Sequence, residues 1–411
     1  MSRPHGSHLE VALDLHWLKP LLGRPGPFIT VLLDATRADA SGDAEVAGRW
    51  KSLRRELSAA GASDTVLDVI EERVTRPTGV AGPHGRVVIA DSTEIVVDRT
   101  VKEPPARSSA VYDAVPALAP AVRAADQATR FVLVEIDRQG ADLTWSDGTS
   151  ARPEREVVDG DHDVLHKIRE GGGWSHRRMQ TRAEDSWERN AERVAADLGK
   201  QVAERHPEIV LVTGDVRAVA LLRDAVGQPV RDLLVEVPGG SRADGVNQSA
   251  FEHQVADALL AHRARRREKV LDRFRTAQGR GEAAVTSIGD VVTVLQRGQV
   301  AELLIRDDLA LPGSALTERT LSVGPEPLQL ATAAADLAAL GADPATAREM
   351  SADVALLRAA LGQDAGLTLV PDGSADLVDG VGAVLRWVDE STPSEAVPSQ
   401  SADQARLRDV V

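Results

Sequence analysis

The chain alternates between short unbroken apolar runs, which predict buried strands, and apolar stripes at spacings of three and four, which predict amphipathic helices. Up to about residue 125 the pattern predicts a strand at residues 28–33, helices at 43–60 and 63–75, and a strand pair at 85–90 and 94–97. The Pro- and Ala-rich stretch at 103–125 predicts a linker or an irregular crossover.

The middle of the chain predicts a hairpin at residues 130–145 around a glycine-containing turn, then a glycine-rich loop at 171–173 and a long helix that ends before Pro207. One apolar stripe marks the buried face of this helix: Ala183, Trp187, Ala191, Val194, Leu198 and Val202. A strand at 208–213, a helix at 215–226 and a strand at 233–237 follow. This alternation of helices and strands indicates α/β layering.

The last third predicts a long helix at residues 251–278, ended by Gly279-Arg280-Gly281. A helix at 285–298 and a strand at 300–306 follow, then helices at 331–340 and 344–361 and closing strands at 367–370 and 382–387. The stretch at 390–402 is rich in Ser, Pro and acidic residues, which predicts a disordered tail.

We therefore predict a three-domain α/β protein, since 411 residues with 43% hydrophobic content can fill several cores. The predicted parts are a divergent N-terminal α/β domain at 1–125, a central domain with the glycine-rich loop at 126–247, a C-terminal domain at 248–390 and a disordered tail at 391–411.

Composition narrows the class of protein. The chain has no cysteine, so disulfides and thiolate metal sites are excluded. Its N-terminal 22 residues lack an apolar core of signal-peptide length, and no stretch is apolar enough to cross a bilayer, so we expect a cytoplasmic protein. The net charge of −15 argues against a general nucleic-acid coat but allows local basic surfaces.

The most informative motif lies at residues 171–195, where three glycines precede Trp174, Ser175, spaced arginines and a long helix. This stretch resembles the central-domain loop and helix of the archaeo-eukaryotic release factors, in which a Gly-Gly-Gln tip is followed by a serine and spaced arginines. The matching positions are Gly172, Gly173, Ser175, Arg178, Arg182 and Arg193-Val194-Ala195. Trp174 stands where the family has its glutamine.

In that family the loop enters the peptidyl-transferase centre and the glutamine positions water against the peptidyl-tRNA ester. An indole offers one N–H donor and no acceptor, so Trp174 cannot replace this function. Its flat face can instead stack on a nucleobase or fill an apolar slot. The resemblance therefore implies a docking surface that has lost its hydrolytic group.

A second resemblance follows the central region. The long helix, the turn at Gly279-Arg280-Gly281, the next helix and the strand at 301–306 resemble the C-terminal domain of release factors and Pelota. The resemblance implies an RNase-H-like central domain and a ribosomal-protein-like α/β sandwich at the C-terminus. The N-terminal region shows no codon-reading motif.

This domain combination looks like the bacterial branch of the family, which includes actinobacterial stress-associated members and the hibernation factor Balon. The implied function is occupancy of the A site of idle or stalled ribosomes, in contact with large-subunit rRNA and with elongation factor Tu or another translational GTPase. Neither a cofactor nor a metal is implied. The candidate ribosome- or RNA-binding residues are Gly171, Gly172, Gly173, Trp174, Ser175, His176, Arg177, Arg178, Arg182, Arg265, Arg266 and Lys269.

The basic residues among these form two groups. Arg177, Arg178 and Arg182 directly follow the glycines and would flank any RNA that the loop enters. Arg265, Arg266 and Lys269 belong to a basic run that extends from residue 263 to 275 with only Glu268 and Asp272 opposing it. A solvated helix face with internal ion pairs is the competing interpretation of this second group.

Two alternative functions stay open. A peptidyl-tRNA hydrolase or rescue factor could use His176 or Gln180 in place of the glutamine, and an RNA-binding or nuclease module could use Asp137, Asp147 and Asp215. His162, His166 and His176 could suggest a metal site. The first two have helical spacing but lack the zincin glutamate between them, so surface histidines are the simpler interpretation. P-loop, Rossmann and serine-hydrolase motifs are absent from the sequence.

Overall fold

The structure is a computed structural model that describes residues 13, 15–37, 41–80, 82–101, 103–147, 154–159, 173–242, 245–310 and 314–393. Gly171, Gly172, His162, His166 and the predicted tail from 394 lie outside these residues. The chain forms two compact units, Met1–Asp126 with Arg265–Val411, and Gln127–Ala264. Each contains helices and sheets, so the α/β prediction is confirmed, while the three predicted domain boundaries stay predictions.

The N-terminal part of the first unit is an antiparallel sheet with two helices packed on one face. In chain order its elements are a 3-10 helix at His16–Leu21, β1 at Phe28–Asp34, α1 at Gly42–Ala59, α2 at Asp64–Thr75, β2 at Gly85–Ala90, β3 at Ile95–Val101, β4 at Ser109–Asp113 and α3 at Ala119–Gln127. The strand order is β3-β2-β1-β4. The mostly buried β1 and the fully buried β2 account for the unbroken apolar runs that predicted them.

The predicted linker at residues 103–125 is wrong. Its first half supplies β4, which pairs antiparallel with β1 from Ser109 to Asp113. Its second half is α3, where Ala121 and Val122 are buried in the core of the first unit. Proline-rich stretches can supply edge strands, and a helix of small side chains packs closely, so tertiary contacts override the local composition.

The second unit contains a mixed sheet with helices against it. Its elements are β5 at Phe131–Ile136, β6 at Gly140–Ser146, β7 at Glu154–Asp159, α4 at Gly173–Arg205, β8 at Ile209–Gly214, α5 at Val216–Ala225, α6 at Gln228–Arg231 and β9 at Leu234–Glu236. The strand order is β7-β6-β5-β8-β9, with β8 parallel to both β5 and β9. The predicted hairpin of β5 and β6 and the following α/β alternation are confirmed.

The helix α7 at Gln248–Arg280 begins in the second unit and continues into the first. The elements that follow are β10 at Ala284–Thr286, α8 at Ile288–Gln296, β11 at Val300–Arg306, α9 at Ala315–Glu318, β12 at Thr320–Val323, β13 at Leu330–Ala331, β14 at Arg348–Ser351, α10 at Ala352–Gly362, β15 at Gly366–Val370 and β16 at Val381–Leu385. They form sheets ordered β10-β16-β11-β15 and β13-β12-β14. Short 3-10 helices lie at Asp307–Ala310, Ala334–Leu340, Pro344–Thr346 and Val378–Gly380.

Three predicted helices in this region are partly wrong. The stretch 285–298 begins as β10, paired with β16, and only then forms α8. The stretch 331–340 is a strand residue followed by a 3-10 helix, and 344–361 contains β14 before α10. Alanine content favours helix in isolation, but pairing of β14 with β12 along four residues decides the conformation here.

One hydrophobic core joins the N-terminal and C-terminal segments of the first unit. Leu18, Phe28 and Val122 belong to the same buried cluster as Leu303 and Leu356. Burying a leucine or phenylalanine side chain contributes about 1.5–3 kcal/mol, so the two segments stabilise each other. Among the described helices, none is both long enough and apolar enough to span a membrane.

Glu302 is a buried carboxyl group in the central strand β11. Its side chain is 3% exposed and its Oε1 accepts a hydrogen bond of 2.7 Å from Thr368 Oγ1 on β15. Burial raises the pKa of Glu302 to about 7, although the Thr368 hydroxyl and the charges of Arg273 and Arg266 act in the opposite direction. The buried position therefore favours the protonated, neutral form of the Glu302 side chain.

We predict that Glu302→Gln reduces the pH dependence of stability. The pKa of Glu302 is about 7 in the folded state and 4.5 in the ordinary, unfolded state. The stability that the protonated side chain contributes is therefore fully present below pH 4.5 and is lost as pH rises through 7. Wild type should lose about 2.5 kcal/mol more unfolding free energy between pH 5 and pH 8 than the variant does. Urea unfolding of both proteins at the two pH values measures this difference. The exposed Glu318→Gln is the control, and an equal pH dependence in Glu302→Gln and wild type would contradict the prediction.

Candidate functional site

The predicted glycine-rich loop is helical from its third glycine. Gly173 is the first residue of α4, and Trp174, Ser175, His176, Arg177, Arg178 and Arg182 occupy its first turns. The side chains of residues 173–185 lie outside the description, so the structure places these residues by backbone position alone. Helix geometry then gives residues 174, 178 and 182, four apart, positions along one side of α4.

The C-terminal half of α4 is held by the apolar stripe that the sequence predicted. Ala191, Val194, Leu198 and Val202 are all less than 10% exposed, and the last three join a cluster with residues of β5, β6 and β8. The predicted face is therefore confirmed from residue 191 onward. Half-buried Trp187 lies at the point where this burial begins.

Polar contacts fix the orientation of the same helix. Asn190 is 4% exposed, and its Nδ2 donates a hydrogen bond of 2.9 Å to the carbonyl oxygen of Arg138. Gln201 Nε2 donates to Glu156 Oε2 on β7 at 2.9 Å. Both bonds join α4 to the sheet of the second unit, so the helix cannot rotate about its axis without breaking them.

Two arginines and a tryptophan form a cluster next to the Asn190–Arg138 hydrogen bond, and the sequence did not predict it. The guanidinium of Arg138 lies 4.3 Å from the centroid of the Trp187 ring, and that of Arg217 lies 5.8 Å from it. Trp187 was predicted only as part of the apolar stripe. Residues 138, 187 and 217 come from three elements, and no spacing in the sequence signals that they meet.

The turn after β8 depends on a glycine. Gly214 has φ +133°, and a Cβ there would lie 1.8 Å from the carbonyl oxygen of Ile136, so no other residue fits without moving the backbone. Asp215 follows and caps α5, because its Oδ1 accepts from the backbone N–H groups of Arg217 and Ala218. Its other carboxylate oxygen lies 3.3 Å from Arg138 Nη2.

The carboxylates considered for a nuclease have structural partners. Asp137 Oδ1 accepts from the backbone N–H groups of Gln139 and Gly140 and from Arg242 Nη1 at 2.9 Å. Asp215 is occupied by its helix cap and Arg138, and Asp147 is an exposed residue just after β6. Within the described ranges, no group of three or more His, Asp or Glu side chains could hold a metal ion. These contacts favour turn and cap functions over metal binding for Asp137 and Asp215.

The basic side chains of the run on α7 are of two kinds: some are exposed to solvent, and others pair with carboxylates of the protein. Arg265 and Lys269 are exposed. The side chain of Arg266 is only 10% exposed and lies 3.5 Å from Asp126, which also pairs with Arg267 at 3.3 Å. Arg275 donates to Glu268 and Asp272 at 2.7 and 3.1 Å. Arg265 and Lys269 are therefore the predicted RNA contacts with side chains open to solvent, whereas Arg266 helps to hold the first unit together.

Comparison with known proteins gives a match in the region that contains α4. Residues 130–280 match the model of Bacterial archaeo-eukaryotic release factor family 2. Two uncharacterized proteins of Mycobacterium tuberculosis, from strains CDC 1551 / Oshkosh and ATCC 25618 / H37Rv, are each 27% identical over 375 residues, which cover 90% of this chain and 96% of the relative.

Solved structures with similarity to this chain include Dom34 and Pelota. Dom34 of S. cerevisiae, described as a translation termination-like factor, is 10% identical with a TM-score of 0.41, covering 75% of this chain and 82% of Dom34. Pelota of Archaeoglobus fulgidus is 11% identical with a TM-score of 0.33, covering 92% of this chain and 93% of Pelota. Residues 130–280 are thus similar to this release-factor family, and similarity to Balon stays a prediction.

We predict that Asp215→Ala destabilises the second unit without changing any reaction on RNA. Loss of the α5 cap costs about 1 kcal/mol, because the N–H groups of Arg217 and Ala218 lose their acceptor. Thermal unfolding measures this effect, with the exposed Asp224→Ala at the other end of α5 as the control. Incubation with labelled RNA and Mg²⁺ or Mn²⁺ completes the test. A metal-dependent cleavage that disappears in Asp215→Ala would contradict the structural assignment.

Proposed function

We propose that this chain, whose residues 130–280 match the model of Bacterial archaeo-eukaryotic release factor family 2, is a ribosome-binding translation factor that does not release peptide. In this proposal it occupies the A site of idle or stalled ribosomes in the cytoplasm. Its partners are large-subunit rRNA and a translational GTPase such as elongation factor Tu.

The observation that carries the proposal is Trp174 at the N-terminal end of α4. Gly173 begins the helix and Trp174 follows it, at the position where the resembling family carries its glutamine. From Gly173 to Ser186, the first residue of α4 with a described buried side chain, the helix advances about 20 Å at about 1.5 Å per residue. That length of helix can act as a probe whose base is fixed on a folded unit.

The chemistry of the probe favours binding over hydrolysis. A tryptophan ring stacks on nucleobases, with about 1–3 kcal/mol for each stacked base. Its N–H can donate but cannot accept the proton of an attacking water. The arginines at positions 177, 178 and 182 add cations that can hold phosphate groups. Arg265 and Lys269 on α7 supply a second basic contact in this proposal.

Peptidyl-tRNA hydrolysis by a different residue is the alternative within the same family. It requires a group that positions water, for which His176 and Gln180 are the nearest residues in sequence with suitable chemistry. Trp174 at the tip argues against this alternative, because a bulky ring next to the reacting ester would displace the water. Measurement of binding and release on the same ribosomes separates the two functions.

We predict that Trp174→Ala weakens ribosome binding at least about tenfold, or about 1.4 kcal/mol, because it removes the stacking surface. Co-sedimentation with purified 70S ribosomes and 50S subunits measures the affinity. Trp387→Ala is the matched control, since Trp387 is a tryptophan of the first unit with 46% exposure.

The release activity completes this test. On ribosomes that carry peptidyl-tRNA, neither wild type nor Trp174→Gln should release peptide, since glutamine alone does not rebuild a hydrolytic site. Ribosome binding by Trp174→Ala as tight as that of wild type would contradict the function proposed for the tip. Peptide release by wild type that is lost in His176→Ala would instead establish the hydrolase.

We also predict that the double variant Arg265→Gln, Lys269→Gln weakens ribosome binding and makes it less sensitive to salt. Each lost phosphate contact should reduce the slope of log affinity against log salt by about 1, so the double variant should lose up to about 2. Titration at several salt concentrations measures the slope. Arg275→Gln on the same helix is the control because its guanidinium already pairs with Glu268 and Asp272. An unchanged slope in the double variant would exclude this face of α7 from the RNA contact.

A further inference from the structure

The first unit contains a cavity of about 410 Å³ that is separate from α4 and the basic run. Four segments form it: the stretch between the first 3-10 helix and β1, the stretch after β4, the ends of β12 and β14 with the turn after β12, and the helix α10. We call it the α10 cavity. It brings together residues from the N-terminal and C-terminal parts of the first unit.

The walls of the α10 cavity are mainly apolar. Phe28, Leu118, Met350, Val354 and Leu361 line it, and each is less than 10% exposed. These side chains come from β1, the segment before α3, β14 and α10, and they belong to the shared core of this unit. An apolar group that enters the cavity would therefore contact fixed, closely packed side chains.

Arg358 on α10 introduces a cation into this apolar cavity. Its Nη2 donates to the carbonyl oxygens of Gly324, at 3.0 Å, and Pro325, which fixes the guanidinium at the wall. Its Nη1 is buried and, among the described residues, has no hydrogen-bond acceptor. A buried guanidinium N–H without an acceptor is unfavourable, so a ligand that places an acceptor there would be stabilised.

Arg348 on β14 is a second cation that lines the same cavity. Burial lowers the pKa of the Arg358 guanidinium; Glu326 opposes this shift, and the exposed Arg348 adds to it with a smaller effect. Two guanidinium groups of like charge are unfavourable next to an apolar wall. An anion between them would remove the repulsion and supply the missing acceptor.

The third arginine of the α10 cavity differs from these two. Arg24 Nη1 donates to Asp91 and Glu94 at 2.6 and 2.8 Å, and its Nε donates to the carbonyl oxygen of Pro20. Its charge is thus compensated by two carboxylates of the protein. In contrast to Arg24, neither Arg348 nor Arg358 forms an ion pair with a carboxylate among the described residues, although the charge of Glu326 raises the pKa of Arg358.

A shallow depression lies next to the cavity. Gly26, Pro27, Tyr112 and Asp113 line it, and it shares Ala114 and Arg348 with the cavity itself. Arg348 therefore lines both the cavity and the depression. A ligand entering through the depression would pass one guanidinium before it reaches the other.

We propose that the α10 cavity binds a small amphipathic anion, with its apolar body against Phe28, Met350 and Val354 and its head group between Arg348 and Arg358. The volume lies in the range of about 300–1,000 Å³ that small-molecule sites occupy. A carboxylate or a phosphate satisfies the chemistry, because guanidinium groups bind both in the same bidentate manner. Binding here would join the N-terminal and C-terminal parts of the first unit through one ligand and stabilise that unit.

Isothermal titration of the full chain with octanoate, octyl phosphate and octanol tests this proposal. Octanoate and octanol have the same chain length and differ in charge, so their comparison isolates the head group. We expect one molecule of octanoate or octyl phosphate to bind per chain, and octanol to bind at least tenfold more weakly. The more tightly bound of the two anions identifies the head group.

Variants of the two arginines locate the bound anion. Arg348→Gln should weaken binding of the anion at least tenfold and leave octanol unchanged, and Arg358→Gln should do the same if it folds. Arg348 is exposed, so its variant keeps the test valid even if loss of Arg358 unfolds α10. Arg306→Gln, outside the cavity and paired with Asp308, is the matched control and should bind as wild type does. Absence of anion binding, equal binding of octanol, or unchanged binding in Arg348→Gln would overturn the proposal.

Discussion

The burial of one face of α4 is the constraint on which the proposed function depends. Val194, Leu198 and Val202 pack on the sheet of the second unit, and each buried side chain of this kind contributes about 1.5–3 kcal/mol. Asn190 and Gln201 then fix the rotation of the helix through hydrogen bonds to the sheet side. Because the base is held this firmly, the direction of the helix N-terminus, where Trp174 lies, is set by the fold of the second unit.

Charge distribution in this acidic chain separates structural cations from available ones. Most arginines with described partners are neutralised, as Arg266 and Arg267 are by Asp126 and Arg24 is by Asp91 and Glu94. Arg265 and Lys269 on α7 remain exposed, and Arg348 and Arg358 face an apolar cavity. The net charge of the protein is −15, so a basic side chain that is not neutralised by a neighbouring carboxylate is a candidate binding site for an anion. The anion can be RNA or a small molecule.

The sequence predicted the elements whose apolar pattern is decided locally. The strands β1, β2, β5 and β11 and the helices α4 and α7 fall within a few residues of the predicted bounds. The errors lie where distant pairing decides the conformation, as in β4, β10 and β14. At the candidate site, the sequence itself shows the order of Gly173, Trp174 and the arginines. It could not predict features that join residues far apart in sequence. These are the cluster of Arg138 with Trp187, the ion pair of Arg266 and the α10 cavity.

Site-specific photocrosslinking from position 174 tests the central claim most directly. A benzophenone amino acid at this position of the full chain, irradiated on idle 70S ribosomes, should crosslink to large-subunit rRNA of the A site. The same group at Val216, which is 83% exposed on α5, controls for crosslinking from the general surface of the second unit. The account predicts a crosslink from position 174 to large-subunit rRNA of the A site. From position 216 it predicts either no rRNA crosslink or a crosslink to a different rRNA site. A ribosome-bound protein with no crosslink from position 174 to large-subunit rRNA would contradict it.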